Sequence, residues 1–303
     1  MQRLDFTLPE FARRAWVGDR AREVWEPRLE RITKAWWQIE WRSVAAGLRP
    51  CAVIVANPQE FVEQSGHWLR AGLHALPVEW HSAQPVILRI AVGKPPDVAA
   101  FHQAFESGDH RAMARLLGHP ACCAESCLNV WQEQSLEDTT WPAATATAAM
   151  SHGAATVELA GPPQANILWR WMGIRAVPHL PCRFDCSPTV DLGKRFIQLG
   201  RDAGFDDEMN WLLQILSWPV EWSALHGIAE IKTPVLKVST RTDATATRYI
   251  VRRRGAAYPK EGAQGLKFPF RPPPQPLLTL TPGFERGLGN PIARPPEEEV
   301  ARP

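Results

Sequence analysis

Apolar residues recur along most of this chain with the spacing of amphipathic helices, and only later with the two-residue spacing of strands. Within residues 8–46, Leu29, Ile32 and Trp36 share one helical face. Pro27 is the expected first residue of the main helix in that segment. The same spacing predicts further helices within residues 58–75, 96–117, 164–172 and 187–216.

Two short apolar runs interrupt this helical pattern and predict buried strands. They cover residues 51–56 and 85–92, and proline, asparagine or glycine flanks each of them. Strand, helix and strand in this order are compatible with an α/β unit. Later, polar and apolar residues alternate over 228–232 and 235–240, and 249–251 forms a third run. These three segments predict antiparallel strands or hairpins near the C-terminal part of the chain.

The elements together predict a mixed α+β fold that is rich in helices and has a small sheet. Three regions are expected. Residues 1–95 form an N-terminal helical and α/β region, and residues 96–255 form a cysteine-motif domain that ends in strands. Residues 256–303 are rich in proline and arginine, and such a tail cannot bury enough apolar surface to fold alone. We therefore expect the tail to be disordered or draped over the domain.

Composition narrows the class of protein. The chain has 303 residues, a net charge of +2 and 22% charged residues, which is ordinary for a globular protein and unlike a general nucleic-acid binder. There is no apolar run of about eighteen residues for a membrane span, and no secretory signal at the N-terminus. We therefore expect a cytoplasmic protein without nucleic-acid or membrane partners, which works on a small-molecule substrate or with a redox partner protein. The 14 tryptophans are expected mainly as core filler.

Five of the six cysteines lie in two short blocks, a first block over residues 119–127 and a second block over residues 179–186. Residues four apart share a helical face, so Cys123 with Cys127, and Cys182 with Cys186, could each direct two sulfurs to one point. Cys122 could replace Cys123 or remain spare. The candidate metal ligands are Cys122, Cys123, Cys127, Cys182, Cys186 and His119.

The cysteine blocks favour a metal over a structural disulfide, because thiols stay reduced in the cytoplasm. Four thiolates, two from each block, match a [4Fe–4S] cluster or a Cys₄ zinc site. The spare ligands His119 and His179 and the fifth cysteine fit a reactive site better than a closed structural one. The iron–sulfur cluster is therefore the favoured cofactor and zinc the alternative. A redox-active disulfide and buried, reduced cysteines remain open as well.

A few other residues are candidates for catalysis around such a site. His179 and Arg183, inside the second block, could contact or orient a substrate. His226 and Glu230 are four residues apart on a predicted strand, so both could face one side and perform acid–base chemistry. A hydrogen-bonded surface pair is the commoner explanation for two such residues. Cys51, alone on an apolar run, is expected to be a core residue.

The segments Leu-Leu-Gly-His-Pro-Ala-Cys-Cys (116–123) and His-Leu-Pro-Cys-Arg-Phe-Asp-Cys (179–186) resemble an uncharacterised prokaryotic family. That family carries a Leu-Leu-Gly-Tyr-Pro-x-Cys-Cys block and a later His-x-Pro-Cys-x-x-x-Cys block, and the resemblance covers about residues 96–205. His119 stands in place of the tyrosine. The resemblance implies no activity, but it implies one shared site on Cys122, Cys123, His179, Cys182 and Cys186. Cys127 would then be the extra cysteine.

Three hypotheses for function follow from these observations. The first is a cytosolic iron–sulfur enzyme that performs redox or sulfur-transfer chemistry on a small molecule. The second is a binding or scaffold protein in which zinc joins two helical segments and the Pro/Arg-rich tail docks a partner. The third is a thiol redox switch.

Overall fold

The computed structural model describes residues 12–81, 86–136, 138–243, 247–256, 258–262 and 266, and it confirms the mixed α+β class. The helices in this part of the chain are α1 (Asp19–Ala45), α2 (Pro58–Arg70), α3 (Pro95–Ser107), α4 (His110–Leu116), α5 (Ala121–Leu128), α6 (Thr140–Ala146), α7 (Ser187–Asp202) and α8 (Asp206–Leu216). The strands are β1 (Ala12–Trp16), β2 (Cys51–Ala56), β3 (His74–His81), β4 (Ile87–Gly93), β5 (Ser151–His152), β6 (Thr156–Leu159), β7 (Val220–Leu225), β8 (Ile228–Lys232), β9 (Leu236–Arg241) and β10 (Tyr249–Arg253).

The strands form two sheets. The larger sheet has the order β1-β9-β8-β7-β10-β6-β5, and among its described strands only β10 and β6 pair in parallel. The alternation over 228–251 is thus confirmed as antiparallel β8, β9 and β10, with β7 beside them. The smaller sheet has the order β2-β4-β3 and is antiparallel throughout. The predicted strand, helix and strand of this segment are present as β2, α2 and β4, and an additional strand, β3, lies between α2 and β4 in the chain. In the sheet, β4 lies between β2 and β3 and is antiparallel to both.

Helix α1 connects the two sheets. Its first turns bury Trp25, Leu29 and Ile32 in the core of the larger sheet, and its last turns bury Trp41 and Val44 against the smaller sheet. The apolar face of this 27-residue helix therefore packs against both cores. This one element therefore sets the position of each sheet relative to the cysteine blocks that follow.

Two expectations for the N-terminal segment are wrong. Residues 12–16 form β1 and pair antiparallel with β9, where a helix was predicted, because cross-strand hydrogen bonds override weak local propensity. Pro27 does not begin α1 but lies inside it. The turns before Pro27 are held by tertiary contacts, since Trp25 meets the edge of Trp218 at 4.6 Å and donates a 3.2 Å hydrogen bond to Glu261.

Tryptophans fill much of the main core, as composition suggested. The large buried cluster includes Trp25, Trp36, Trp169, Trp218 and Trp222. Cys51 is a buried residue of β2, also as expected, and burial raises its pKa to about 12. Most of the proline-rich tail, for which disorder is predicted, lies outside the described residues. Among the described helices, none combines the length and hydropathy needed to cross a bilayer.

A buried ion pair joins α1 to the segment that leads into β2. The Arg49 side chain pairs with the Glu40 carboxylate and donates hydrogen bonds to Ser43 Oγ at 2.7 Å and to the Glu40 carbonyl at 2.9 Å. Trp36 and Arg175 also donate to Glu40, at 2.8 and 3.1 Å. Burial raises the pKa of Glu40, but the charges of Arg49 and Arg175 outweigh burial and hold that pKa below its usual value.

We expect Glu40→Gln to lower the free energy of unfolding by about 3–5 kcal/mol, because the substitution leaves Arg49 buried without its countercharge. Denaturant unfolding at neutral pH measures this loss. Glu30→Gln, at an exposed position of the same helix, is the control and should change stability by no more than about 0.5 kcal/mol. Since the pKa of Glu40 is depressed, its contribution is present above the unfolded-state pKa and is lost as pH falls through the folded pKa. Equal effects of the two substitutions at neutral pH would contradict this role.

Candidate metal centre

The first cysteine block is positioned by a tight turn and a new helix. Helix α4 ends before Gly118, which has a φ of 70° and lies so close to Arg49 that a Cβ would come within 2.5 Å of the arginine side chain. Glycine is therefore required here by both conformation and space. Pro120 then precedes α5, and its carbonyl accepts the N–H groups of Cys123 and Ala124 at 2.9 Å. Cys122 and Cys123 consequently lie in the first turn of α5.

The second block is a compact loop that ends at the start of α7. Cys186 is the residue before this helix, and its N–H donates to the Arg183 carbonyl at 3.3 Å. Phe184 anchors the loop, because its ring is fully buried and its N–H donates to Thr147 Oγ1 at 2.9 Å. The sequence Pro-Cys-x-x-x-Cys thus folds as a turn rather than as a helix with both cysteines on one face.

The two blocks meet at four sulfurs. The Sγ atoms of Cys122, Cys123, Cys182 and Cys186 all lie within 4.8 Å of one another, and this group could hold a metal ion. Cys123 and Cys186 are 3.6 Å apart, Cys122 and Cys186 3.7 Å, and Cys122 and Cys123 3.9 Å. Cys123 and Cys186 are buried, Cys182 is partly buried, and Cys122 is exposed. Three ligands are therefore shielded while one faces outward.

The surroundings of the sulfurs suit negative charge. The N-termini of α5 and α7 both lie at the site, and a helix N-terminus favours anions. The backbone N–H of Cys182 donates to Cys123 Sγ at 3.4 Å. Burial raises the pKa of Cys123 far above its usual value and that of Cys182 to about 12. Burial also raises the pKa of Cys186, but hydrogen bonds with Thr189, Cys123 and Cys182 together outweigh it and the net pKa is lowered.

The raised pKa values of Cys123 and Cys182 indicate that the sulfur group has no compensating positive charge of its own among the described residues. Several thiolates packed this closely repel one another, so the thiols cannot all be deprotonated without a compensating positive charge. A bound cation supplies that charge, since metal binding displaces the thiol protons. The donor set, its burial and its helix termini therefore fit a thiolate-bound metal.

Thr189 connects the sulfurs to a buried histidine. Its Oγ1 lies 3.3 Å from Cys123 Sγ and 2.9 Å from His179 Nε2. His179 is 7% exposed, and its Nδ1 has no hydrogen-bond partner among the described residues. Thus His179 lies next to the sulfur group, one hydroxyl away from Cys123. Sequence reasoning missed Thr189, for which the only signal is its position one helical turn after Cys186.

His119 lies beside His179 rather than within the sulfur group. The two rings are 5.4 Å apart between centroids. Burial and then the charge of Arg49 lower the pKa of His119 to about 3. Burial, His119 and Arg49 also lower the pKa of His179 well below its usual value. Both imidazoles are therefore neutral at physiological pH.

Cys127 lies one turn further along α5 and outside the four-sulfur group. Its Sγ donates to the Leu180 carbonyl at 3.6 Å, and burial raises its pKa to about 12. The thiol therefore packs the first block against the second. Of the two i, i+4 pairs proposed from spacing, the structure brings Cys182 and Cys186 to one point, but not Cys123 and Cys127.

The other candidate residues occupy varied positions. Arg183 pairs with Asp185 at 3.2 Å within the second block and is half exposed. His226 lies in the turn between β7 and β8, with a φ of 52°, and Glu230 on β8 pairs with Lys237 at 2.8 Å. Because β8 begins at Ile228, strand alternation does not place His226 and Glu230 on one face. The catalytic roles suggested for these residues stay predictions.

A surface cavity of about 720 Å³ adjoins Cys122. A π-helical turn, Asn129–Glu133, continues α5 along the cavity. Such turns are rare and often occur at functional sites. The lining residues mix one carboxylate, neutral polar groups and apolar surface: Cys122, Glu125, Ser126, Asn129, Val130, Gln134, Leu136, Trp141, Pro142 and Thr145. The exposed thiol is therefore accessible to a small molecule in this cavity.

We expect Thr189→Val to weaken the binding of added zinc, used as a probe ion, by roughly 10- to 100-fold, because the threonine hydroxyl that contacts Cys123 and His179 is lost. Competition with a chelating dye measures the affinity. Thr189→Ser retains the hydroxyl and is the matched control. Unchanged zinc affinity in the valine variant would contradict a positioning role for Thr189.

We expect the metal-free protein to lose stability as pH falls from about 7 to about 5, in part through His119. The unfolded imidazole takes up a proton near pH 6.5, whereas the folded imidazole, with its lowered pKa, does not, so acid favours unfolding. His119→Gln should flatten this part of the profile, measured by denaturant unfolding at several pH values. Parallel profiles for the two proteins would show that His119 does not contribute.

No protein-family model, curated protein or solved structure matches this chain. The resemblance of its two cysteine blocks to the uncharacterised prokaryotic family therefore stays a prediction. What can be said of function depends on the geometry and chemistry of the site itself. In those terms the site is a group of four cysteine sulfurs that could hold a metal ion beside a cavity.

Proposed function

We propose that Cys122, Cys123, Cys182 and Cys186 bind a single zinc ion, and that this zinc–thiolate centre acts on a small molecule in the adjoining cavity. The observation that carries the proposal is the spacing of the sulfurs. Zinc–sulfur bonds of about 2.3 Å in a tetrahedron place the four sulfurs roughly 3.8 Å apart. The separations among Cys122, Cys123 and Cys186, 3.6, 3.7 and 3.9 Å, match that value, and Cys182 Sγ lies within 4.8 Å of each of them.

The same spacing argues against the iron–sulfur cluster favoured by the sequence. In a [4Fe–4S] cluster each cysteine binds a different iron, so the sulfurs surround a larger object and must stand farther apart than on one ion. A maximum separation of 4.8 Å leaves less room than a cluster needs. Zinc also has no redox chemistry of its own, so the zinc proposal replaces a redox reaction with thiolate or Lewis-acid chemistry.

The exposure of Cys122 distinguishes the proposed reactive centre from a purely structural zinc site. Structural sites are closed, whereas Cys122 is exposed and lines the cavity. The cavity volume is in the range of small-molecule sites. The scaffold alternative relies on the Pro/Arg-rich tail, most of which lies outside the described residues. The thiol-switch alternative uses the same sulfurs, and metal analysis separates it from the zinc proposal.

We also infer that the chain belongs with the uncharacterised prokaryotic family whose two blocks it resembles. Support comes from the sulfurs that meet, since they are the four cysteines that the resemblance assigns to one site. His179, the fifth residue so assigned, lies one hydroxyl away from Cys123. Cys127, the extra cysteine of that pattern, lies outside the group.

We expect the full chain, purified anaerobically without added metal, to contain about one zinc ion and no acid-labile sulfide. Cys186→Ala should abolish stoichiometric zinc, whereas Cys127→Ala, at a partly buried cysteine outside the group, should retain it. Elemental analysis and the absorption spectrum measure both. Four irons with sulfide and absorbance near 400 nm would establish the cluster instead, and a metal-free protein that forms disulfides on mild oxidation would favour the thiol switch.

A further inference from the structure

We propose that Cys122 is a nucleophile that accepts an alkyl group from a cationic small-molecule donor, such as a sulfonium, bound in the cavity beside it. This inference rests on the proposed zinc centre and names the reaction and substrate class of that site. It is carried by three observations: the exposure of one sulfur, the hydrogen bonds to another, and a cavity lining that holds an indole ring and, among the described residues, no lysine or arginine.

The four sulfurs differ in their access to a reactant. Cys123 and Cys186 are each 1% exposed, whereas Cys122 is exposed and lines the cavity. Cys123 Sγ also contacts Thr189 Oγ1 and the Cys182 N–H, and such donors withdraw charge from a thiolate. The contacts that the described residues give Cys122 Sγ are with the sulfurs of Cys123 and Cys186. Cys122 is therefore the most accessible of the sulfurs and accepts no such N–H or O–H contact.

The cavity favours a positively charged reactant. Zinc with four thiolates carries a net double negative charge. Among the described residues that line the cavity, Glu125 is the one with a charged side chain, and Arg111 pairs with it at 2.9 Å from outside the lining, so this pair adds no net charge. Trp141 contributes an indole ring, and indole faces attract cations. Negative charge and an aromatic ring beside one thiolate suit a cationic alkyl donor better than an anionic one.

The reaction is redox-neutral and complete as written. The Cys122 thiolate attacks an sp³ carbon of the sulfonium, a sulfur–carbon bond forms, and the bond from that carbon to the sulfonium sulfur breaks. The leaving thioether takes the electron pair and departs uncharged, so the thiolate charge and the sulfonium charge cancel. When bound, the metal ion would hold Cys122 as a thiolate ligand. No oxidant, reductant or proton donor is needed.

The experiment treats the zinc-loaded full chain with trimethylsulfonium or with the anionic reagent iodoacetate. Each rate is normalised to that of free cysteine with the same reagent, and peptide mapping locates the adduct. We expect about one methyl group per chain, on Cys122, and a normalised rate roughly tenfold or more higher for the sulfonium. Trp141→Leu should lower the sulfonium rate roughly fivefold relative to Trp141→Phe, which keeps an aromatic ring.

Zinc content is measured on the same samples, so two failures can be told apart. Three results with stoichiometric zinc would overturn the alkyl-transfer inference and leave the zinc centre standing. They are no methylation, methylation mainly on Cys182 or Cys127, and a faster normalised reaction with iodoacetate than with the sulfonium. Protein without zinc overturns the zinc centre and this inference together. Loss of selectivity for Cys122 after the zinc is removed with a chelator would support the inference, because it ties the reactivity to the assembled centre.

Discussion

The burial of Arg49 against Glu40 is the constraint on which the position of the candidate metal centre depends. A buried guanidinium must be neutralised, and the carboxylate that neutralises it lies on α1, the helix that reaches both cores. The same arginine packs against Gly118, immediately before the first cysteine block. Sheet, helix and cysteine turn are thus connected through one side chain. Through this ion pair, the packing of α1 helps to fix the position at which α5 begins.

At the centre itself, charge and burial oppose each other. Three of the four sulfurs are shielded from solvent, which raises the pKa of Cys123 and Cys182, yet a metal requires thiolates. Two helix N-termini and a few N–H and O–H donors favour the charged form locally. The remaining compensation has to come from a cation. A bound cation would consequently stabilise the fully deprotonated form of the site.

Much of this arrangement could be predicted from the sequence where local pattern decides structure. The apolar faces of α1 and α7, the runs of β2 and β4 and the alternation of β8 and β9 all appear at the expected positions. β1 and the inner position of Pro27 could not be predicted, because pairing with β9 and contacts of Trp25 determine them. These contacts join residues far apart in the chain.

The cysteine group also depends partly on local spacing and partly on contacts between residues far apart in the chain. Spacing correctly indicated that the two blocks contain one thiol more than four, but helical periodicity alone favoured Cys127 over Cys122. Side chains on a helix tilt toward its N-terminus, so consecutive residues in the first turn can converge on a point beyond the helix end. The position of that point is set by the second block. Only the fold supplies that position, as it also supplies Thr189 and the cavity.

The parallel pairing of β6 with β10 has a consequence for the order in which this chain can assemble. Residues 159 and 249 bound a crossover that contains the second cysteine block and α7. All four clustered cysteines precede residue 187, whereas β10 ends at Arg253. During synthesis the sulfur ligands leave the ribosome before the strand that lies beside β6 in the finished sheet. A bound ion could then cross-link α5 to the start of α7 before β10, an inner strand of the larger sheet, has been synthesised.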